Sequence, residues 1–152
     1  RLKKAAQGLG TVQPRPGDTA AATLLREHAG RRVLLVDDEP INQEIAQMIL
    51  EDAGLQVDLA ADGREAVDKV ERFAYDLVLM DMQMPNMDGL EATLCIRRMP
   101  DRAPLPILAM TANAFVEDRA RCLAAGMNDF IAKPISPNQL YSLVLRWLEK
   151  RG

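Results

Sequence analysis

The chain has 152 residues, 48% hydrophobic and 27% charged, with a formal net charge of −3: the profile of a soluble globular domain long enough to bury a full core. No apolar run approaches the roughly 18 to 20 residues of a spanning helix, and no signal peptide is evident. His28 is the only histidine, which effectively excludes a metal site or a Ser-His-Asp arrangement built on histidine.

Residues 1–32 carry seven Lys/Arg and two acids, whereas the remaining residues carry twelve and twenty. A basic leader therefore precedes an acidic body, and an acidic body is a poor nucleic-acid binder. The start at Arg1 rather than Met leads us to expect a piece excised from a longer protein. Gly8, Gly10, Pro14, Pro16 and Gly17 prevent a long regular element in residues 1–30. These read as an interdomain linker with a short helix over Thr19–His28, capped by Asp18 and closed by Gly30. The alternative is a coupling helix that docks on the body.

From Arg31 to residue 152 the pattern is that of one domain in which strands and helices alternate. A strand at 33–36 leads to a helix opening at Pro40 and closing before Gly54. A strand near 56–60 precedes a helix at about 64–73. The next strand, 77–80, enters a loop with Pro85, Asn86, Asp88 and Gly89, then a helix ending near Met99. A strand at 106–110 is followed by a helix from about Phe115 to Ala125, stopped by Gly126. The last pair is a strand at 129–132 and a helix from about Pro137 to Lys150, with Ser136 as cap. Five such repeats specify an α/β fold, a doubly wound five-stranded parallel sheet flanked by five helices. Cys95 and Cys122 have no metal spacing and read as reduced packing residues of a cytoplasmic protein.

Several apolar strands end in charge: Val33–Val36 at Asp37 and Asp38, Leu77–Met80 at Asp81, and Phe130–Ala132 at Lys133. Buried parallel strands bring such residues to one rim, the C-terminal edge of the sheet. Alone, Asp37-Asp38-Glu39-Pro40 reads as helix capping; a second strand ending in Asp81 shifts the weight to a cation site. Like charges about 4 Å apart repel by roughly 4 kcal/mol at an effective dielectric of 20, so the three acids need a counter-charge. Oxygen-only ligands suit Mg²⁺ or Mn²⁺. Thr111 and Lys133, on the fourth and fifth strands, add a hydroxyl and an ammonium that match the oxygens of a phosphoryl group.

These motifs resemble the receiver domain of bacterial two-component response regulators, a flavodoxin-like fold. The resemblance covers residues 32–150 and rests on Val36-Asp37-Asp38, the run from Met80 to Gly89, Met110-Thr111-Ala112, and Lys133-Pro134. Asn42, Met80–Pro85, Ala109–Ala114 and Gly126–Phe130 are most similar to receivers fused to hybrid sensor histidine kinases. The resemblance implies that Asp81 accepts a phosphoryl group from a phosphohistidine. It further implies that Asp38, Asp81 and the Gln83 backbone carbonyl bind Mg²⁺, with Asp37 acting directly or through water, and that Lys133, Thr111 and backbone N–H groups near Met82 and Ala112 hold the phosphoryl oxygens. The domain is then not itself a kinase but promotes its own aspartyl phosphorylation and dephosphorylation. The expected parent is a histidine kinase anchored in the inner membrane, although this domain is expected to touch neither membrane nor nucleic acid. The partners implied are a kinase dimerisation and phosphoacceptor domain, a histidine phosphotransfer domain, or both.

Further expectations concern the moving parts. Thr111 and Phe130 hold the positions of the family's switch pair, although Phe130 reads equally as a simple buried strand residue; lacking a hydroxyl, it is expected mostly inward without phosphate. The resemblance suggests a cis bond before Pro134. Gln83 and Asn113 overlook the phosphate, and neither is a general base, which predicts an aspartyl phosphate lasting minutes or more. On the helix from Pro40, a turn of about 100° per residue groups Ile45, Ala46, Ile49 and Ala53, with Met48 at the margin near Ile41. That face reads either as partial core burial or as an apolar dock, through Ile41 and Met48, for a histidine-bearing helix.

Rival readings fit less well. A haloacid-dehalogenase-type phosphatase needs an acid where Gln83 stands, and a flavodoxin-like cofactor binder needs a phosphate loop where Asp37 and Asp38 would repel it. A response regulator whose output domain has been removed, or a non-phosphorylated protein-binding receiver, remains the alternative.

Overall fold

A computed structural model describes residues 19–82, 87–102, 104–111, 116–133 and 135–151. Strands β1 (Arg32–Val36), β2 (Gln56–Ala60), β3 (Leu77–Asp81), β4 (Ile107–Thr111) and β5 (Asp129–Ala132) form one parallel sheet in the order β2-β1-β3-β4-β5. The helices among the described residues are α1 (Ala20–Glu27), α2 (Pro40–Asp52), α3 (Gly63–Arg72), α4 (Gly89–Arg97), α5 (Val116–Ala125) and α6 (Pro137–Arg151). The doubly wound expectation is met, with α1 as a sixth helix.

Strand periodicity sorts the core into two layers. Val33, Leu35, Leu77, Leu79, Leu108 and Met110 face one way and pack with Leu24 of α1, Ala46 and Leu50 of α2, and Leu140, Val144 and Leu148 of α6. The alternate residues Leu34, Val36, Val78, Met80, Ile107 and Ala109 pack with Ala66 and Val70 of α3, Ala92 and Ile96 of α4, and Cys122 of α5. Each large aliphatic side chain buried in this way stabilises the fold by about 1.5–3 kcal/mol. No described helix is long and apolar enough to cross a membrane. Cys122 is buried and Cys95 half-buried.

Helix α1 differs in detail from its expected form. Asp18 lies outside the described residues, and Thr19 is the cap, its hydroxyl accepting from the Ala22 N–H at 3.1 Å. Leu24 is fully buried, so the helix is docked on the body against α6 rather than hanging free. Gly54 permits the approach: a Cβ there would stand 2.8 Å from Leu25 Cδ1, and its φ of +86° favours glycine.

A second structural device ties α4 to the turn before β5. Arg97 donates to the carbonyls of Gly126 at 2.9 Å and Arg102 at 3.0 Å, and to Asn128 Oδ1 at 2.7 Å. The same Asn128 oxygen accepts the Ile107 N–H at 2.8 Å. This explains Gly126-Met127-Asn128 as a structural clasp. At the start of α6 the Ser136 carbonyl accepts from Leu140 N–H at 2.9 Å.

Candidate functional site

The strand register explains why distant residues meet. Val36 pairs with Met80, which sets Asp37 level with Asp81; Asp81 pairs with Met110, and Thr111 with Ala132. Asp37, Asp81, Thr111 and Lys133 therefore step across neighbouring strand ends. The strand order reverses between β1 and β3, the place where open α/β sheets leave a crevice.

One carboxylate oxygen each of Asp37, Asp38 and Asp81 lies within 4.8 Å of the other two. Asp37 is 2% and Asp81 5% exposed, while Asp38 faces solvent. Lys133 Nζ lies 3.4 Å from Asp37 Oδ2 and 3.2 Å from Asp81 Oδ2. The Lys133 N–H donates to the Thr111 carbonyl at 2.8 Å, which fixes the root of its side chain, and Thr111 itself is buried.

Local backbone chemistry aims these groups. Asp37 Oδ1 accepts the Glu39 N–H at 2.9 Å, an Asx turn that orients the carboxylate and opens α2 at Pro40. Gln43 Nε2 donates to the Asp37 carbonyl. Beyond β3, Asp88 caps α4 by accepting from Glu91 N–H at 2.9 Å, and Gly89 lies against the Asp81 carbonyl. A Cβ on Gly89 would stand 2.4 Å from that oxygen. Only glycine lets α4 start so close to the strand end.

The donors fit a hard divalent cation. Three acids share the pocket with one ammonium, leaving surplus negative charge, and every side-chain ligand is a carboxylate oxygen of the type Mg²⁺ prefers. The N–H of Met82 donates to the Met110 carbonyl at 3.1 Å, so in this arrangement the sheet already engages that amide. Gln83, Ala112, Asn113 and Pro134 lie outside the described residues. Phe130 is half-buried and packs against the layer containing α3, α4 and α5.

Beside the acids, α2 turns out differently from its wheel. Ala46, Leu50 and Ala53 take the core, Ile49 packs at its margin, and Ile45 is 50% exposed. Ile45 therefore leaves the buried face and joins Ile41 and Met48, also exposed, in an apolar stripe. Leu50 carries the core contact that the sequence reading missed; burial on α2 follows positions 46, 50 and 53, the side toward β1 and β2. Next to the stripe a cavity of about 130 Å³ is lined by Asp37, Asn42, Ile45, Ala46, Lys133 and Ile135.

Comparison with known proteins places these features. The family model for the response regulator receiver domain matches residues 33–145. The chain is 46% identical over 119 residues to the sensor protein GacS of Pseudomonas syringae pv. syringae, covering 76% of this chain. It is 40% identical over 120 residues to the signal transduction histidine-protein kinase BarA of Escherichia coli K12, covering 79%. It spans 13% of the length of each of these relatives. The receiver domain of sensor histidine kinase PA1611 from Pseudomonas aeruginosa PAO1 superposes with a TM-score of 0.75 at 45% identity, over 80% of this chain and 99% of that one. That structure holds a magnesium ion in its active-site cleft.

Proposed function

This chain belongs to the response regulator receiver domain family, and from that premise we propose that Asp81 is its phosphoacceptor, receiving a phosphoryl group from a phosphohistidine in a Mg²⁺-dependent reaction. The observation that carries the assignment is the 3.2 Å contact between Lys133 Nζ and Asp81 Oδ2. It places a cation on the nucleophilic carboxylate at the crevice, with two further acids beside it.

Asp37, Asp38 and Asp81 are the cation ligands, joined by the Gln83 backbone carbonyl; Mg²⁺ is the expected ion, with Mn²⁺ as a substitute. When bound, the ion offsets charge on the carboxylates and on the transferred group. Asp81 attacks phosphorus, forming an O–P bond while the N–P bond of the donor breaks and its electron pair returns to the imidazole. Lys133 moves its ion pair onto a phosphoryl oxygen, and the Thr111 hydroxyl donates to another. The group adds about −1.5 to −2 charges to a crowded acidic pocket, which supplies the force for a Thr111–Phe130 rearrangement.

The receiver unit comprises residues 31–152, with α1 as its lead-in. Ile41, Met48 and the unpredicted Ile45 offer an apolar stripe beside the acids, suited to a helix that carries the phosphohistidine of a kinase dimerisation domain or a phosphotransfer domain. Likeness to GacS and BarA supports a parent chain that is itself a hybrid sensor histidine kinase. The test is transfer from a phosphorylated histidine phosphotransfer domain. Label should move to the native chain with Mg²⁺ and stay on the donor with EDTA or with Asp81→Asn. Equal labelling of Asp81→Asn overturns the assignment.

A further inference from the structure

His28 is 8% exposed, yet among the described residues neither ring nitrogen has a hydrogen-bond partner. Its backbone cannot easily carry it away: the N–H donates to Leu24 O at 2.8 Å and the carbonyl accepts from Arg31 N–H at 3.1 Å. A buried imidazole left unsatisfied at both nitrogens is destabilising unless something completes it. A ring nitrogen of His28 and one carboxylate oxygen each of Glu27 and Glu149 lie within 4.8 Å of one another. Both glutamates are exposed, so their side chains are free to turn. The competing contact, Arg26 Nη2 to Glu27 Oε2 at 3.4 Å, is a solvated pair of little strength.

We propose that Glu27, His28 and Glu149 form a site for a divalent transition-metal ion of the Zn²⁺ class, which clamps α1 to α6. Imidazole nitrogen with two carboxylates suits Zn²⁺, whereas the oxygen-only acids at the strand ends suit Mg²⁺, so ligand type separates the two sites. Zinc takes nitrogen and oxygen donors at about 2.0–2.2 Å, and the swing needed to close the set falls on the two exposed side chains. Two carboxylates and a neutral imidazole balance the ion's charge, and three protein donors leave a coordination position for water.

The single histidine argued against such a site, since sequence spacing could not show that Glu149 returns beside His28 once α6 packs against α1. Residues 1–18 join the body through α1, so the ion would fix the direction from which the preceding chain arrives.

The test uses the 152-residue chain, stripped of metal by a chelator and returned to excess Mg²⁺, then titrated with zinc chloride. Because His28 is the only histidine, its imidazole ¹⁵N resonances report the site directly. The expected result is a saturable one-to-one shift of those resonances and a rise of about 5 °C in the melting midpoint. Zinc binding should weaken at least tenfold in His28→Gln and in Glu149→Gln. Glu149 is exposed, so its variant keeps the test alive if His28→Gln does not fold. Unmoved ring resonances, or unchanged zinc affinity in Glu149→Gln, overturn the proposal. So does a zinc effect lost only in Asp38→Asn, which assigns the ion to the acidic rim.

Discussion

Lys133 Nζ stands 3.2 Å from Asp81 Oδ2, joining the end of β5 to the end of β3 across the whole width of β4. The same ammonium lies 3.4 Å from Asp37 Oδ2, so one cation serves two nearly buried carboxylates. A divalent ion entering the pocket meets that ammonium as a competitor.

The first prediction follows from this competition. At about 4 Å, like charges cost about 1 kcal/mol in water and about 4 kcal/mol at an effective dielectric of 20. In Lys133→Met, calorimetry should find Mg²⁺ bound about tenfold more tightly, while phosphorylation from acetyl phosphate slows at least tenfold. Weaker Mg²⁺ binding would mean that Lys133 organises the acids rather than competing for them.

Gly89 is the second point of leverage. A Cβ there meets the Asp81 carbonyl oxygen at 2.4 Å and Met80 Cγ at 3.1 Å, and the backbone oxygen cannot rotate aside. Overpacking of this kind costs about 1–3 kcal/mol. Urea unfolding of Gly89→Ala should show a loss in that range, with slower phosphorylation as the Asp81 backbone shifts. Unaltered stability would show that α4 slides away without cost.

For the docking stripe, Met48→Asp places a charge at a position 56% exposed and outside the core. Circular dichroism should show a folded domain. Phosphotransfer from a histidine phosphotransfer domain should fall about tenfold relative to the acetyl phosphate rate measured on the same variant. An unchanged ratio removes α2 from the docking surface.

Alkaline pH tests a different part of the fold. Tyr75 is buried and its hydroxyl donates to Asp58 Oδ2 at 2.7 Å. Burial, then the bond to Asp58 and its charge, push the phenol well above the usual tyrosine value, against a smaller opposing effect of Arg32. The folded value lies above the unfolded one of about 10, so this contribution is complete below pH 10 and fades as pH rises further. Stability measured by urea should therefore fall more steeply above pH 10 in the native chain than in Tyr75→Phe. Parallel curves would contradict the assignment.

How much was legible beforehand depended on whether the information was local. Strand ends at Asp81 and Thr111 could be read because apolar runs stop there, and the parallel sheet then brings them together whatever the loops do. Ile45 misled because a helical wheel gives a face but not its neighbour, and α2 lies against β1 and β2 with Ala46, Leu50 and Ala53 inward. Thr19 rather than Asp18 caps α1, a shift of one residue between two competent caps. Arg97 gave no sign, since an arginine in a helix reads as solvated until a backbone turn such as Gly126–Asn128 folds over it. His28 with Glu149 was equally hidden, because their proximity is purely tertiary.

The most direct measurement of the central claim is to phosphorylate the chain with acetyl phosphate and Mg²⁺, reduce the product with borohydride, and locate the modified residue by mass spectrometry. The account predicts reduction at Asp81 alone, absent without Mg²⁺ and absent in Asp81→Asn. Modification at Asp37 or Asp38, or labelling that persists in the variant, would contradict it.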